Sequence, residues 1–557
     1  MLYSELAAVY EQLEATSKRL EKRDIFARLL KKASESDLDH LLYLIQGRVF
    51  PRWDERKTGM SSQLLLKAIA LSTGNSIEQI TKLWRKVGDL GKVTEQLTKE
   101  KKQRTIFETK KLDVKKVFDN IRAMSELTGA GTVNKKVNLA AELLTSASPL
   151  EARYIVRTVL EELRIGVAEG VIRESIAVAY DVDVDDVEKA FSKIVDYAEV
   201  AKKAKKKELS KIGMGIGRPV EVMLAIKAET IEEAFEVLGK PAVFEYKLDG
   251  FRVQAHKVDG KISLFTRRME DVTKQFPDVV SLIEKNVKGD SFIVDNEIVG
   301  YNQKTKRYLP FQKISQRIKR KHDIEKMAKD FPVEINVFDV LYHDGKSIEG
   351  KPLTERRDLL EKIIKPIKWK IVLTKKIITS SEEEATKFYK ESLKAGNEGV
   401  MIKKIDGPYI PGRHVGGWIK FKPVMETLDL VIVGAEWGEG KRATWLSSFD
   451  LACQDKGKFL ELGKVGTGIK EKGEGVTFKQ LTKELKPNVI QTKGKHVLVK
   501  PNLVVEVAYE EIQKSPTYNS GLALRFPRIL RIRYDRTPSG CDNIERVKNL
   551  FEKQRKI

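Results

Sequence analysis

Cysteine, histidine and long apolar runs are all scarce in this sequence, and each shortage closes off a class of protein. Only Cys453 and Cys541 occur in 557 residues, with no CxxC pair and no histidine-rich tract, so neither a disulfide framework nor a structural zinc site is supported. No stretch of about 18 apolar residues exists, which leaves no candidate membrane span. The opening MLYSELAAVYEQLEATSKRLEKR has Glu5 and Glu11 where a secretory leader would be apolar. It reads instead as an amphipathic helix with Leu2, Leu6, Val9, Tyr10 and Leu13 on one stripe. A cytoplasmic protein is expected. The phosphate-cradling pattern GxxxxGK[ST] is also missing, and no internal repeat is visible.

What the chain has in excess is positive charge. Lys and Arg number 103 against 80 Asp and Glu, a net +23, and a surplus of that size favours a polyanion as partner. With no membrane-spanning segment, nucleic acid is the expected polyanion. A content of 41% hydrophobic and 33% charged residues fits ordered domains rather than a disordered chain. At roughly 150 residues per domain, three or four are expected. Abundant Lys and Glu with little Cys is also the composition of hyperthermophile proteins.

The texture changes twice along the chain. Residues 1–215 read as successive helices and predict an all-α domain. Examples are SSQLLLKAIALSTG, ended by Gly74, and LEARYIVRTVLEELRIGVAEGVIRESIAVAY, where apolar residues recur at three and four. The lysine run from Ala201 to Pro219 reads as a solvated helix end followed by a linker. Residues 216–421 alternate short β-branched runs, DG turns and helices, and predict a mixed α+β domain. Residues 422–557 carry several short strands with glycine-rich connections, and predict a small β-barrel.

Within the middle region, FEYKLDGFRVQ reads as a strand whose alternation sets Glu245, Lys247 and Asp249 on one face and Phe244, Tyr246 and Leu248 on the other. Downstream, KVDGK is a hairpin signal, because Asp-Gly supplies the positive φ angles of a type I′ turn. If Val258 faces Lys261, counting outward sets Arg252 opposite Arg267. Two like charges directly opposed are unfavourable unless an anion such as phosphate sits between them. A lysine on such a face can act as a nucleophile when its amine is neutral. WIKFK sets Lys420 and Lys422 on one face, FIVDNEIVGY sets Asp295 and Glu297 on one face, and EGVMIKK opens on Glu398. Carboxylates in a phosphate-seeking site suit a hard divalent cation.

In order, EYKLDGFR, TRRMEDVT, DNEIVGY, FDVLYHDG, EGVMIKK and WIKFKP resemble the successive motifs of the covalent nucleotidyltransferase superfamily. With the helical N-terminal region, GRPVEVMLA at its exit and LRFPRILRIRYDR near the C-terminus, the whole chain resembles the archaeal ATP-dependent DNA ligases. The resemblance implies an all-α DNA-binding domain, an adenylation domain and an OB-fold domain that encircle nicked duplex DNA, serving replication, repair and recombination. It implies Lys247 as the nucleophile that takes AMP from ATP. Nucleotide contacts would come from Glu245, Arg252, Arg267, Glu297, Phe338, Arg413, Lys420 and Lys422. Metal contacts, for Mg²⁺ or alternatively Mn²⁺, would come from Glu297 and Glu398. Arg525, Arg528, Arg533 and Arg536 would contact the leaving pyrophosphate as the last domain closes, although RYDR ends in arginine where many relatives have lysine. KKQRTIFE is similar to a shortened sliding-clamp-binding peptide, with Gln103, Ile106 and Phe107 as its anchors. A monomer is expected. RNA ligases and mRNA-capping enzymes share most of these motifs, and a non-catalytic DNA-binding scaffold would share the basic surface. The long helical region disfavours capping enzymes, and a charged strand face has no purpose in a scaffold.

Overall fold

The computed structural model describes residues 1–54, 56–100, 111–129, 131–309, 311–319, 322–412, 416–423, 426–438, 442 and 444–556. By compactness the chain forms two units. The first comprises Met1–Lys227, Ala234–Ser380 and Met401–Lys420, and the second Ala228–Glu233, Ser381–Val400 and Phe421–Ile557.

The first unit opens with helices running from Tyr3–Ala15 to Tyr197–Lys205. Local signals set several of their ends. Ser61 caps Ser62–Thr73 by accepting from the Leu64 amide, and Gly74 ends it in the left-handed region at φ +73°, where only glycine sits without strain. The first helix buries Tyr3, Leu6, Ala7, Tyr10 and Leu13, close to the stripe expected. One reading needs correction. The apolar periodicity of residues 150–180 is carried by two helices, Pro149–Val159 and Glu169–Tyr180. They are separated by a segment in which Glu161, Arg164 and Gly166 all have positive φ. Periodicity reports which residues face a core, and it continues through a break that keeps them facing inward.

Buried charge ties these helices together. Arg157 donates to Glu14 at 2.7 Å and to Asp89 at 2.7 Å, linking three helices. The lysine run of Tyr197–Lys205 and its continuation is paired: Lys202 with Asp39 at 2.5 Å, Lys206 with Glu35 at 2.6 Å and Lys211 with Glu208 at 2.6 Å, while Lys205 donates to the Ala33 carbonyl at 2.7 Å.

Two sheets follow. A six-stranded sheet has the order β4-β3-β5-β6-β7, with β8 on β6; its strands are β3 (Phe251–Val258), β4 (Lys261–Thr266), β5 (Phe292–Gly300), β6 (Val333–His343), β7 (Lys346–Ser347) and β8 (Ile371–Leu373). A five-stranded sheet has the order β1-β11-β10-β2-β9, from β1 (Ile226–Lys227), β2 (Ala242–Lys247), β9 (Lys376–Thr379), β10 (Gly399–Lys404) and β11 (Trp418–Phe421). The core of the six-stranded sheet is built on Val253, Leu264, Phe276, Phe292, Val294, Ile335 and Val337.

His256 on β3 is fully buried, edge-on to Phe265, and its Nδ1 accepts from the Gly217 amide at 3.3 Å. Burial pushes its pKa down from 6.5 to about 3. The imidazole is therefore neutral in the fold, whereas the unfolded chain takes up a proton below about pH 6.5. Its contribution is complete above that pH and drains away as pH falls toward 3. Stability should drop by up to about 2 kcal/mol between pH 6.5 and 5 from this residue alone. Urea unfolding of the wild type and of His256→Gln checks this: the variant should be weaker at pH 7.5 but lose less on acidification, and equal slopes would rule it out.

In the second unit, β12 (Leu428–Trp437), β13 (Leu446–Asp455), β14 (Lys458–Val465), β15 (Val489–Lys493), β16 (His496–Val499), β17 (Val504–Ala508) and β20 (Arg528–Ile532) make a seven-stranded sheet, and β18 (Glu511–Lys514) pairs with β19 (Leu522–Arg525). The sheet packs Leu428, Leu430, Phe449, Leu451 and Val505 against helix Phe478–Leu485. Among the described residues, no helix is long and apolar enough to cross a membrane.

Candidate active site

Strand β2 delivers two of the three ionisable groups of EYKLDG to one face. Lys247 is its last residue and is half-buried, and Glu245 is buried at 2% exposure. Asp249 does not join them. It lies past the strand end, in the link to β3, where its carboxylate accepts from the Phe311 amide at 3.3 Å. The link is tight because a Cβ on Gly250 would stand 2.4 Å from the Ile298 carbonyl oxygen. A backbone atom cannot swing aside, so glycine is required there.

The Glu245 carboxylate lies between two cations. Lys403 Nζ is 2.6 Å from Oε2 and Arg357 Nη1 is 3.7 Å from Oε1. Arg357 is itself held by donation from Nη2 to the Thr374 carbonyl at 2.5 Å. The Lys403 ammonium also lies 4.8 Å from the Phe338 ring centre and 4.3 Å from that of Trp418, and the two rings meet edge to face at 6.0 Å. Glu245 Oε1, Lys403 Nζ, and Arg357 Nε and Nη1 are buried with no aligned hydrogen-bond partner. Polar atoms left this way are costly unless a ligand completes them.

Beside the aromatic pair, Arg252 Nε donates to Asp295 Oδ1 at 3.0 Å and Nη2 to Oδ2 at 2.6 Å. The Tyr409 hydroxyl accepts from Arg252 Nη2 at 2.8 Å and donates to Asp295 at 2.8 Å. Although burial opposes its charge, Asp295 beside it holds the Arg252 pKa above the ordinary arginine value. The hairpin has the expected register, Val258 opposite Lys261, with Asp259 and Gly260 at φ +50° and +72°. The opposed arginines do not follow from it. Strand β4 ends at Thr266, so Arg267 stands exposed in the turn one residue beyond the ladder. Arg252 is neutralised within the protein by Asp295. Glu297, on β5, is the cross-strand partner of Arg252.

Lys420 is on β11, and in the second unit Lys422 pairs with Glu398 at 2.6 Å and Glu510 at 3.5 Å. Burial works against the Lys422 charge, but Glu398 more than restores it and leaves the pKa raised. Of the C-terminal arginines, Arg525 pairs with Glu511 at 3.1 Å, Arg533 with Asp429 and Asp535 at 2.8 Å each, and Arg536 lies 3.5 Å from Asp429. Arg528 is exposed on β20. Among the described residues no three of His, Cys, Asp and Glu gather into a metal cage. Arg413 and the peptide residues Gln103, Ile106 and Phe107 lie outside the described residues.

Sequence reasoning missed Lys403, Arg357, Tyr409 and Trp418 as site residues. Lys403 carried a signal, a lysine directly after the apolar run GVMI on the same strand, and at 1% exposure it is among the most buried lysines a strand can hold. Arg357 carried none: TERRDLLEK reads as a solvated helix face, and only packing turns that face inward.

Models of known families match most of this chain: the DNA ligase N terminus at residues 2–177, the ATP dependent DNA ligase domain at 222–422 and the ATP dependent DNA ligase C terminal region at 442–536. A DNA ligase of Nanoarchaeum equitans is 48% identical across 100% of this chain and 99% of its own length. One of Archaeoglobus fulgidus is 44% identical over 100% and 99%. The solved structure named Pmar-Lig_PreS3 shares the fold, with a TM-score of 0.55 at 17% identity over 95% of this chain and 99% of that one. By these matches over its whole length, this chain belongs to the ATP-dependent DNA ligases, enzymes that seal nicks in DNA with ATP.

Proposed function

We propose that Lys247 is the nucleophile of this ligase and that Glu245 and its surroundings hold the adenine of ATP. The supporting observation is Glu245 Oε1, a buried carboxylate oxygen without a hydrogen-bond partner, two residues from Lys247 on the same strand face. An exocyclic amine of a base would complete it, and Phe338 offers a ring for stacking. The Lys247 amine, once neutral, attacks the α-phosphorus of ATP; an N–P bond forms, the bond to the pyrophosphate oxygen breaks, and pyrophosphate leaves. AMP then passes to the 5′-phosphate at the nick, and the 3′-hydroxyl displaces it. Arg252, Arg267, Arg413, Lys420 and Lys422 serve ribose and phosphates by opposing the charge that grows on the transferring group.

The donor set suits magnesium. Mg²⁺ binds through one or two carboxylates with substrate phosphates and water completing its shell, so the lack of a three-carboxylate cage among the described residues is no obstacle. Glu297 and Glu398 would hold it, and when bound it neutralises phosphate charge. In the same reading, residues 1–215 bind DNA, 216–421 carry the adenylation chemistry, and 422–557 form an OB-fold whose Arg525, Arg528, Arg533 and Arg536 meet the pyrophosphate. The enzyme acts as a monomer on nicked duplex DNA in replication, repair and recombination, and the 103–107 peptide docks on a sliding clamp. Sealing of a labelled nicked duplex tests the reading. DNA nicks should be joined with ATP and Mg²⁺, whereas joining only RNA nicks, or only with GTP, would overturn it.

A further inference from the structure

Two short hairpins of the first unit face each other across an aromatic cluster. Tyr301 and Tyr308 bridge the base of one, with the Asn302 amide donating to the Arg307 carbonyl at 2.9 Å. The other closes by mutual hydrogen bonds between Ile367 and Ile371, with Trp369 at its tip. Trp369 holds φ +63°, the left-handed conformation that the tip of this tight turn imposes on it. Its amide donates to Glu334 Oε1 at 2.5 Å, and Tyr308 donates to the other oxygen of the same buried carboxylate at 2.5 Å. The Trp369 ring packs 5.2 Å from Tyr301 and 5.8 Å from Tyr308. Lys306 lies over Tyr301 at 5.2 Å and Trp369 at 5.7 Å.

The two hairpins and the residues next to them carry Lys304, Lys306, Arg307, Lys365, Lys368 and Lys370, all exposed. None forms an ion pair among the described residues, in contrast to the paired lysines of the helical region. Glu334, the carboxylate that Tyr308 and Trp369 contact, is buried and occupied. Lys306 over the rings, with five more exposed cations on or next to the two hairpins in sequence, fits a polyanion.

We propose that this double hairpin binds the phosphate backbone of a duplex arm of the nicked substrate, as a surface separate from the nucleotide site. The assignment of duplex DNA as occupant rests on the nick-sealing activity. Duplex is favoured over single strand because Trp369 packs tilted at 42° to Tyr301 and edge-on at 64° to Tyr308, with Lys306 over Tyr301 and Trp369, so the rings form no parallel platform for successive bases.

The test is the variant Lys304→Ala/Lys306→Ala/Arg307→Ala, whose side chains are exposed and whose hairpin hydrogen bonds are made by the backbone and Asn302. Three readouts are needed: label transfer from α-labelled ATP without DNA, affinity for a nicked duplex by fluorescence anisotropy over a salt series, and affinity for a single strand of equal length. Label transfer should stay at the wild-type level. Duplex affinity should fall at least about tenfold at low salt, and the slope of log affinity against log salt should shrink by about 2 to 3. Unchanged duplex affinity and slope would overturn the proposal, as would a loss confined to the single strand. Loss of label transfer together with DNA binding would also overturn it, by putting the hairpin in the nucleotide site. A wild-type chain that takes no label would count against the Lys247 chemistry instead, and leaves the duplex comparison to be read as before.

Discussion

Lys247→Ala should take up no label from α-labelled ATP, while its affinity for nicked DNA stays within about twofold of the wild type, because the phosphate contacts that dominate DNA affinity lie elsewhere. Lys247→Arg should fail equally. Guanidinium remains protonated at any working pH and never offers the neutral nitrogen that attack requires. Both variants should still seal DNA supplied already adenylated at the 5′ end, since that substrate bypasses the lysine. Label retained on denatured Lys247→Ala protein would assign the nucleophile to another residue. Failure of both variants on adenylated DNA would mean that the substitution disturbs the later steps too, and that the lysine does more than carry AMP.

The second large effect is on stability. Asp295 and Asp339 are both fully buried, each gripped by an arginine: Arg252 by the bidentate contact described above, and Arg356 on Asp339 at 2.7 and 3.1 Å. Removing one partner strands the other as an uncompensated buried charge. Arg252→Ala should therefore cost about 3–5 kcal/mol in urea unfolding, and Asp295→Ala a similar amount. The double variant should lose clearly less than the sum of the two, because the second substitution removes the stranded charge left by the first. Losses that add without coupling would show that the pair is not held as the structure has it. A parallel cycle on Arg252 and Arg267 should be close to additive in stability, since Arg252 is paired with buried Asp295 while Arg267 is exposed and has no ion pair among the described residues.

The boundary between what was legible in advance and what was not follows from the range of the interactions. The turn at Asp259–Gly260 and the helix end at Gly74 depend on φ preferences of one or two residues, and these are written locally. The strand character of β2, β5 and β11 is likewise local, written in short runs rich in β-branched and aromatic residues, although each is buried almost continuously rather than alternately. The apolar pattern of residues 150–180 showed which side chains face inward but not that the chain breaks between two helices, because the break preserves that facing.

The ordered motifs by themselves determined the family, because a shared chemistry demands those side chains at those spacings, and the matches over the whole chain agree. Tertiary structure alone decided what the charges do. Asp249 turns away to the Phe311 amide, Arg252 is neutralised by Asp295, and Lys403 and Arg357, from a strand and a helix far along the chain, converge on Glu245. Charge pairing is set by distance in space, and in a buried site the partner that desolvation makes necessary comes from whichever distant segment the packing brings within 4 Å, a relation that no local pattern encodes.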